Sequence, residues 1–195
     1  MIVSPFLTVE NNGTNFSLLR LRSEDGTNRL TRSCVLSLTK TIRKLAEKPR
    51  PLVVAGNIKF FSAGADLREI AALDGPAAYE FSRLGQTLMR SLAEFPSPVY
   101  AAIAGYCMGG GLDLALACHR RIAAPHAVFG HRGAALGLIT GWGGTQRLPR
   151  TVGRALALQM LVAAEKVGAQ RALAIGLVDA VAEDPVAEIL RRILP

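Results

Sequence analysis

The chain has 195 residues, 50% of them hydrophobic, and a formal net charge of +8. That is the size of one domain with a composition able to bury a core, which excludes a disordered chain. No stretch approaches the ~20 apolar residues that span a bilayer. The start carries no basic region followed by an apolar run, so a cytoplasmic protein without a membrane partner is expected. Cys34, Cys107 and Cys118 are odd in number and lack metal-site spacing, so neither a disulfide framework nor a metal site is expected. Nine of the 23 basic residues fall between Arg20 and Arg50. Such a cluster suits nucleic acid, a small polyanion such as a phosphorylated cofactor, or a solvated face. No nucleic-acid motif or Lys/Arg tract accompanies it, and no nucleic-acid partner is expected.

In chain order, FSLLRLR (Phe16 to Arg22) reads as a strand and SEDGTNR as a loop. TRSCVLSLTKTIRKLAE places Val35, Leu38, Ile42 and Leu45 three or four residues apart, an amphipathic helix that KPRP ends. PLVVAG is a short buried strand, NIKFFSAGAD a loop and LREIAAL a helix. A longer helix runs from about Pro76 to Phe95, with Tyr79, Leu84, Leu88 and Leu92 on one stripe. VYAAIAG is a buried strand, LDLALAC a helix, and RRIAAPHAVFG holds a strand or two. A glycine-rich loop covers Gly137 to Gly144. VGRALALQMLVAA and GAQRALAIG then read as helices, and LVDAVAED as a last strand and turn. This alternation predicts an α/β domain with a largely parallel sheet.

Two loops carry the chemistry. GYCMGGGLDLALAC sets Gly109, Gly110 and Gly111 at the mouth of a helix, with Asp113 just inside. Backbone N–H groups in a first helical turn have no partner within the helix, and the helix dipole adds positive charge there. Such a site stabilises an anion, whether a phosphate or an oxyanion developing on a carbonyl. No Gly-Lys-Ser/Thr follows, so this is not a P-loop. FFSAGADL (Phe60 to Leu67) also follows a buried strand and enters a helix. Its small residues Ser62, Ala63 and Gly64 can present a second N–H. Two such loops at the carboxyl edge of one sheet form an oxyanion hole.

FFSAGADL, IAGYCMGGGLDLALAC, FGHRGAALGLITGWGGTQRLPRTVG and ALAIGLVDAV together resemble the enoyl-CoA hydratase/isomerase (crotonase) superfamily, in order and in spacing, over roughly Phe16 to Ala182. The resemblance implies an α/β fold, a crotonase-like spiral of β-β-α repeats. The core domain would cover 1–182, with a short C-terminal helical remnant at 183–195 where family members usually continue. It implies an acyl-CoA thioester as ligand, with coenzyme A part of the substrate and no permanently bound cofactor. It also implies a homotrimer or hexamer. Carried over by motif, the thioester oxygen meets the N–H groups of Ala63 and Gly110. Basic residues of the 20–50 region and Lys59 would hold the CoA. Asp66 reads as a helix cap.

The match departs from the hydratase pattern at its two glutamates. The first position is Asp113, a methylene shorter. The second, in FGHRG, is Gly133, which has no side chain. A water held between an acid and a base then lacks one of its two groups. Isomerase or decarboxylase chemistry is therefore favoured over hydration, with Asp113 moving the proton and His131 or Arg132 donating a proton or binding a carboxylate. The alternative is a catalytically impaired acyl-CoA-binding or assembly subunit. His119, His126 and Arg147 read as structural, Cys107 and Cys118 as buried small hydrophobes, and Tyr106 and Trp142 as core or pocket wall.

Overall fold

The computed structural model describes residues 2–11 and 15–194. Its elements are β1 (Ile2–Val3), β2 (Leu7–Asn11), β3 (Ser17–Leu21), β4 (Arg29–Leu30), α1 (Arg32–Ala46), β5 (Leu52–Ala55), β6 (Phe60–Ser62), β7 (Gly64–Ala65), α2 (Leu67–Ala71) and α3 (Gly75–Ala93). They continue as β8 (Val99–Ile103), β9 (Tyr106–Met108), α4 (Gly110–Ala117), β10 (Arg120–Ala123), β11 (Val128–Gly130) and a 3-10 turn at Gly133–Leu136. The last are α5 (Gly144–Val152), α6 (Arg154–Leu161), β12 (Lys166–Gly168), α7 (Ala169–Ala174), β13 (Ala180–Val181) and α8 (Pro185–Ile193). No helix among them is long and apolar enough to cross a membrane.

Seven strands form the main sheet in the order β1-β2-β3-β5-β8-β10-β13. It is antiparallel from β1 to β3 and parallel from β3 onward. A second sheet runs β12-β11-β9-β6, and β4 pairs with β7 alone. The pairs β5/β6, β8/β9 and β10/β11 each give one strand to each large sheet, and helical structure follows each pair. That is the expected spiral of β-β-α repeats.

Local chemistry explains the helix starts. Thr31 caps α1 by accepting from Cys34 N, Asp74 caps α3 through Ala77 N, and Asp184 caps α8 through Val186 N and Ala187 N. Pro76 and Pro185 occupy first-turn positions, where no N–H is required. The large core lies between the sheets and α1, α3 and α4, with Phe61, Leu88, Leu92, Leu112 and Phe129 fully buried. A smaller cluster covers the outer face of the main sheet. There Ile189 of α8 is buried against Phe16, Leu18, Val53 and Ile122. The segment expected as a remnant thus closes that face.

Three segments differ from the expectations. The 57–66 loop holds two short strands, and β7 pairs with β4 more than thirty residues upstream, a contact no local pattern announces. β9 is a three-residue strand in what reads as a glycine turn. The end of the glycine-rich loop opens α5, which contains Pro149 and so scores poorly on propensity.

Candidate active site

Gly110 is the first residue of α4, and Asp113 stands three residues on, one turn along the same face. The SAGAD loop packs directly against this helix start. Gly64 takes φ of +92°, open only to glycine without strain, and a β-carbon there would stand 2.7 Å from Met108 O and 3.1 Å from Gly110 N. A side chain at 64 would therefore obstruct the first-turn N–H groups.

Ala63 is not the loop's donor to this site. Its N–H is already engaged, donating to Thr27 O at 2.9 Å. Gly64 N likewise donates to Ser62 Oγ at 3.1 Å. Ala65 N comes close to the glycine run and would lie 3.4 Å from a β-carbon on Gly110. The N–H expected of Ala63 is instead consumed by the segment that leads into β4.

A cavity of about 610 Å³ opens at this junction. Ala63, Ala65, Gly110, Asp113, His131, Arg132 and Gly133 all line it, so the fold unites every expected site residue except Lys59. Lys59 is exposed in the turn after β5 and lies outside the cavity. The remaining wall is largely apolar, from Leu67, Ile70, Leu73, Leu138 and Ile139. Trp142 adds the floor. Its ring is 4% exposed, lies 5.2 Å from the Phe81 ring, and donates through Nε1 to Phe81 O. A β-carbon on Gly110 would stand 2.5 Å from this ring, and one on Gly85 would collide with it. Tyr106, by contrast, is exposed and stacks on Phe60 away from the cavity.

Asp113 and His131 are buried together, at 1% and 5% exposure. His131 Nε2 lies 3.0 Å from Asp113 Oδ1, and the Thr140 hydroxyl donates to Oδ2 at 2.5 Å. The amide of Trp142 donates to the Thr140 hydroxyl in turn. Thr140 has no motif to betray it, although it sits two residues before Trp142 in ITGWGG. Burial holds the Arg147 guanidinium below its ordinary value, while the Asp113 carboxylate acts the other way. Arg147 also donates to Trp142 O, a structural tie.

The other candidates are structural. Asp66 caps α2 by accepting from Arg68 N, and hydrogen bonds from Arg68 hold its carboxyl near 2. His119 Nδ1 accepts from Val99 N, and His126 contacts Ile58 O. Burial pushes the Cys34 and Cys118 thiols up to about 12 and Cys107 well above the ordinary range, so none is poised as a thiolate.

A sequence profile described as enoyl-CoA hydratase/isomerase matches residues 12–194. The chain belongs to that family. A probable enoyl-CoA hydratase of Bacillus subtilis is 44% identical over 144 residues, covering 73% of this chain and 55% of the relative. A crotonyl-CoA hydratase of Syntrophomonas wolfei is 37% identical over 170 residues, covering 86% of this chain and 65% of the relative. The chain thus spans between about half and two thirds of the length of these curated family members. Among solved structures, Pseudomonas aeruginosa DspI superimposes with a TM-score of 0.93 at 37% identity, covering 99% of this chain and 75% of that one. An enoyl-CoA hydratase from Bacillus anthracis does so with 0.89 at 33% identity, covering 96% and 76%.

Proposed function

We propose that this chain binds an acyl-CoA thioester in the 610 Å³ cavity and polarises its carbonyl with the backbone N–H groups of Ala65 and Gly110. The observation that carries the reading is that one cavity holds both the glycine-rich start of α4 and a buried carboxylate–imidazole pair. A thioester oxygen seated at the helix start places its Cα toward Asp113 and His131, since Gly110 and Asp113 share a helix face. The apolar wall takes the acyl chain, and Trp142 limits its depth. Negative charge that develops on the oxygen when Cα loses a proton is stabilised by fixed dipoles in a partly desolvated site.

Isomerase or decarboxylase chemistry is favoured over hydration. Gly133 offers no acid or base on the far side of a substrate water, and the two groups present hydrogen-bond each other. The relatives named hydratases support the acyl-CoA class and leave the reaction open. We also propose that the chain assembles as a homotrimer or hexamer. Leu158 and Val162 on and after α6 are 59% and 65% exposed, which supports a covered face there.

The test is thermal melting with acetyl-, crotonyl- and acetoacetyl-CoA, followed by a turnover screen of acyl-CoA thioesters by mass spectrometry. A ligand at 100 times its Kd stabilises the native state by about 2.7 kcal/mol. Unchanged melting with all three thioesters removes the reading.

A further inference from the structure

We propose that Nδ1 of His131 is the atom that exchanges a proton with the acyl chain, and that Asp113 and Thr140 are positioning residues acting through it. This rests on the acyl-thioester reading above.

The argument is one of hydrogen-bond supply. An ionised carboxylate only accepts. Asp113 Oδ2 takes the Thr140 hydroxyl hydrogen, and that hydroxyl is oriented by the Trp142 N–H. Asp113 Oδ1, 3.0 Å from His131 Nε2, therefore requires the imidazole hydrogen on Nε2. A neutral imidazole carries one N–H, so the lone pair is on Nδ1. No described residue hydrogen-bonds Nδ1, and His131 lines the cavity. The free lone pair is thus on the nitrogen left for substrate, whereas each Asp113 oxygen already accepts a hydrogen bond. When Nδ1 takes a proton, the imidazolium gains a charge-assisted hydrogen bond to the carboxylate. Arg147 from α5 interacts electrostatically with Asp113, and the α5 start at Gly144 packs against Asp113 Oδ1.

Held this way, Asp113 and His131 form one proton carrier. Hydration needs two carriers on opposite sides of a water. A 1,3-proton shift in a 3-enoyl thioester needs one. Nδ1 takes the Cα proton, the C–H electron pair enters the Cα–C1 bond, and the thioester oxygen becomes the oxyanion facing Ala65 and Gly110. Nδ1–H then returns the proton to Cγ, the double bond moves to Cα=Cβ, and the carbonyl re-forms. Nothing is consumed.

The experiment follows exchange of the α-protons of butanoyl-CoA with D2O by mass spectrometry, with binding read by calorimetry. The wild-type protein is expected to exchange. His131→Gln keeps an N–H donor for Asp113 but no basic nitrogen, so binding should stay within about threefold while exchange falls by about 100-fold or more. Long-range ¹H–¹⁵N spectra of the unmodified protein read the tautomer directly, with the other rings assigned through His119→Gln and His126→Gln. A hydrogen on Nε2 is expected, and Asp113→Asn should change that signature. His131→Gln exchanging at the wild-type rate overturns the inference, as does a neutral ring protonated on Nδ1; neither result touches thioester binding. Wild-type protein that binds butanoyl-CoA without exchange overturns this inference alone. Failure to bind any CoA thioester overturns the broader reading with it.

Discussion

Gly144 shows how tightly single residues are constrained around the buried pair. A β-carbon there would collide with Asp113 Oδ1 and stand 2.8 Å from Thr140 Cγ2. Gly144→Ala should therefore break the Asp113 hydrogen bonds and cost about 1–3 kcal/mol, read as a lowered melting temperature. Thr140→Val keeps the shape and removes one donor to a buried carboxylate. It should cost a similar 1–3 kcal/mol and leave the backbone unchanged. Gly133 bears on the missing acid. A β-carbon at 133 would stand 2.8 Å from Leu138 O, inside the turn closed by the Leu138 N–H to Gly133 O bond. Hydration of crotonyl-CoA should be slow in the unmodified protein, by about 10²–10⁴-fold against a two-acid site. Gly133→Glu alone should not restore it, because the 133–138 turn must move first. Rapid hydration by the unmodified protein, measured by loss of enoyl absorbance, would contradict this.

At the scale of elements, α2 and α8 make separable predictions. The Asp66 carboxyl caps α2 and sits near 2 against an ordinary 3.8, chiefly through its hydrogen bonds from Arg68. Because the folded value is the lower one, its stabilisation is present in full above about 3.8 and is lost as pH falls toward 2. The Arg68 side chain is 84% exposed, so solvent screening keeps the effect below about 1 kcal/mol. Asp66→Asn retains a cap without the charge. Its melting-temperature deficit against the wild type should be small at pH 5 and vanish near pH 2. Helix α8 acts through packing instead. Ile189 is fully buried on the outer face of the main sheet, so Ile189→Ala should destabilise by about 2–5 kcal/mol in chemical denaturation.

Across the whole molecule, the two large sheets and the β-β-α spiral bring loops from four strand ends to one cavity. Assembly belongs to this scale too. Leu136 and Ile139, at 58% and 77% exposure, rim the cavity mouth, while Leu158 and Val162 stand exposed around α6. If the α6 region is an interface, light scattering at micromolar concentration should give a trimer or hexamer mass, and Leu158→Glu should yield monomers. A wild-type monomer counts against the proposed assembly.

Much of this was legible in one dimension. Periodicity located α1 and α3, and continuous apolar runs located β5 and β8, since those elements bury a face through residues a few positions apart. The glycine run and Asp113 marked a helix start lining the cavity, because first-turn N–H groups are a local property of any helix start. Tertiary structure alone decided that one N–H of the SAGAD loop is consumed: Ala63 N donates to Thr27 O, from a segment more than thirty residues earlier. It alone paired His131 with Asp113 across 18 residues and set Thr140 on the opposite carboxylate oxygen. Such pairings depend on how β11 and the turn before α5 lie against α4. Chain spacing does not encode that, because hydrogen bonds between elements follow the packing of the sheets and helices that carry them.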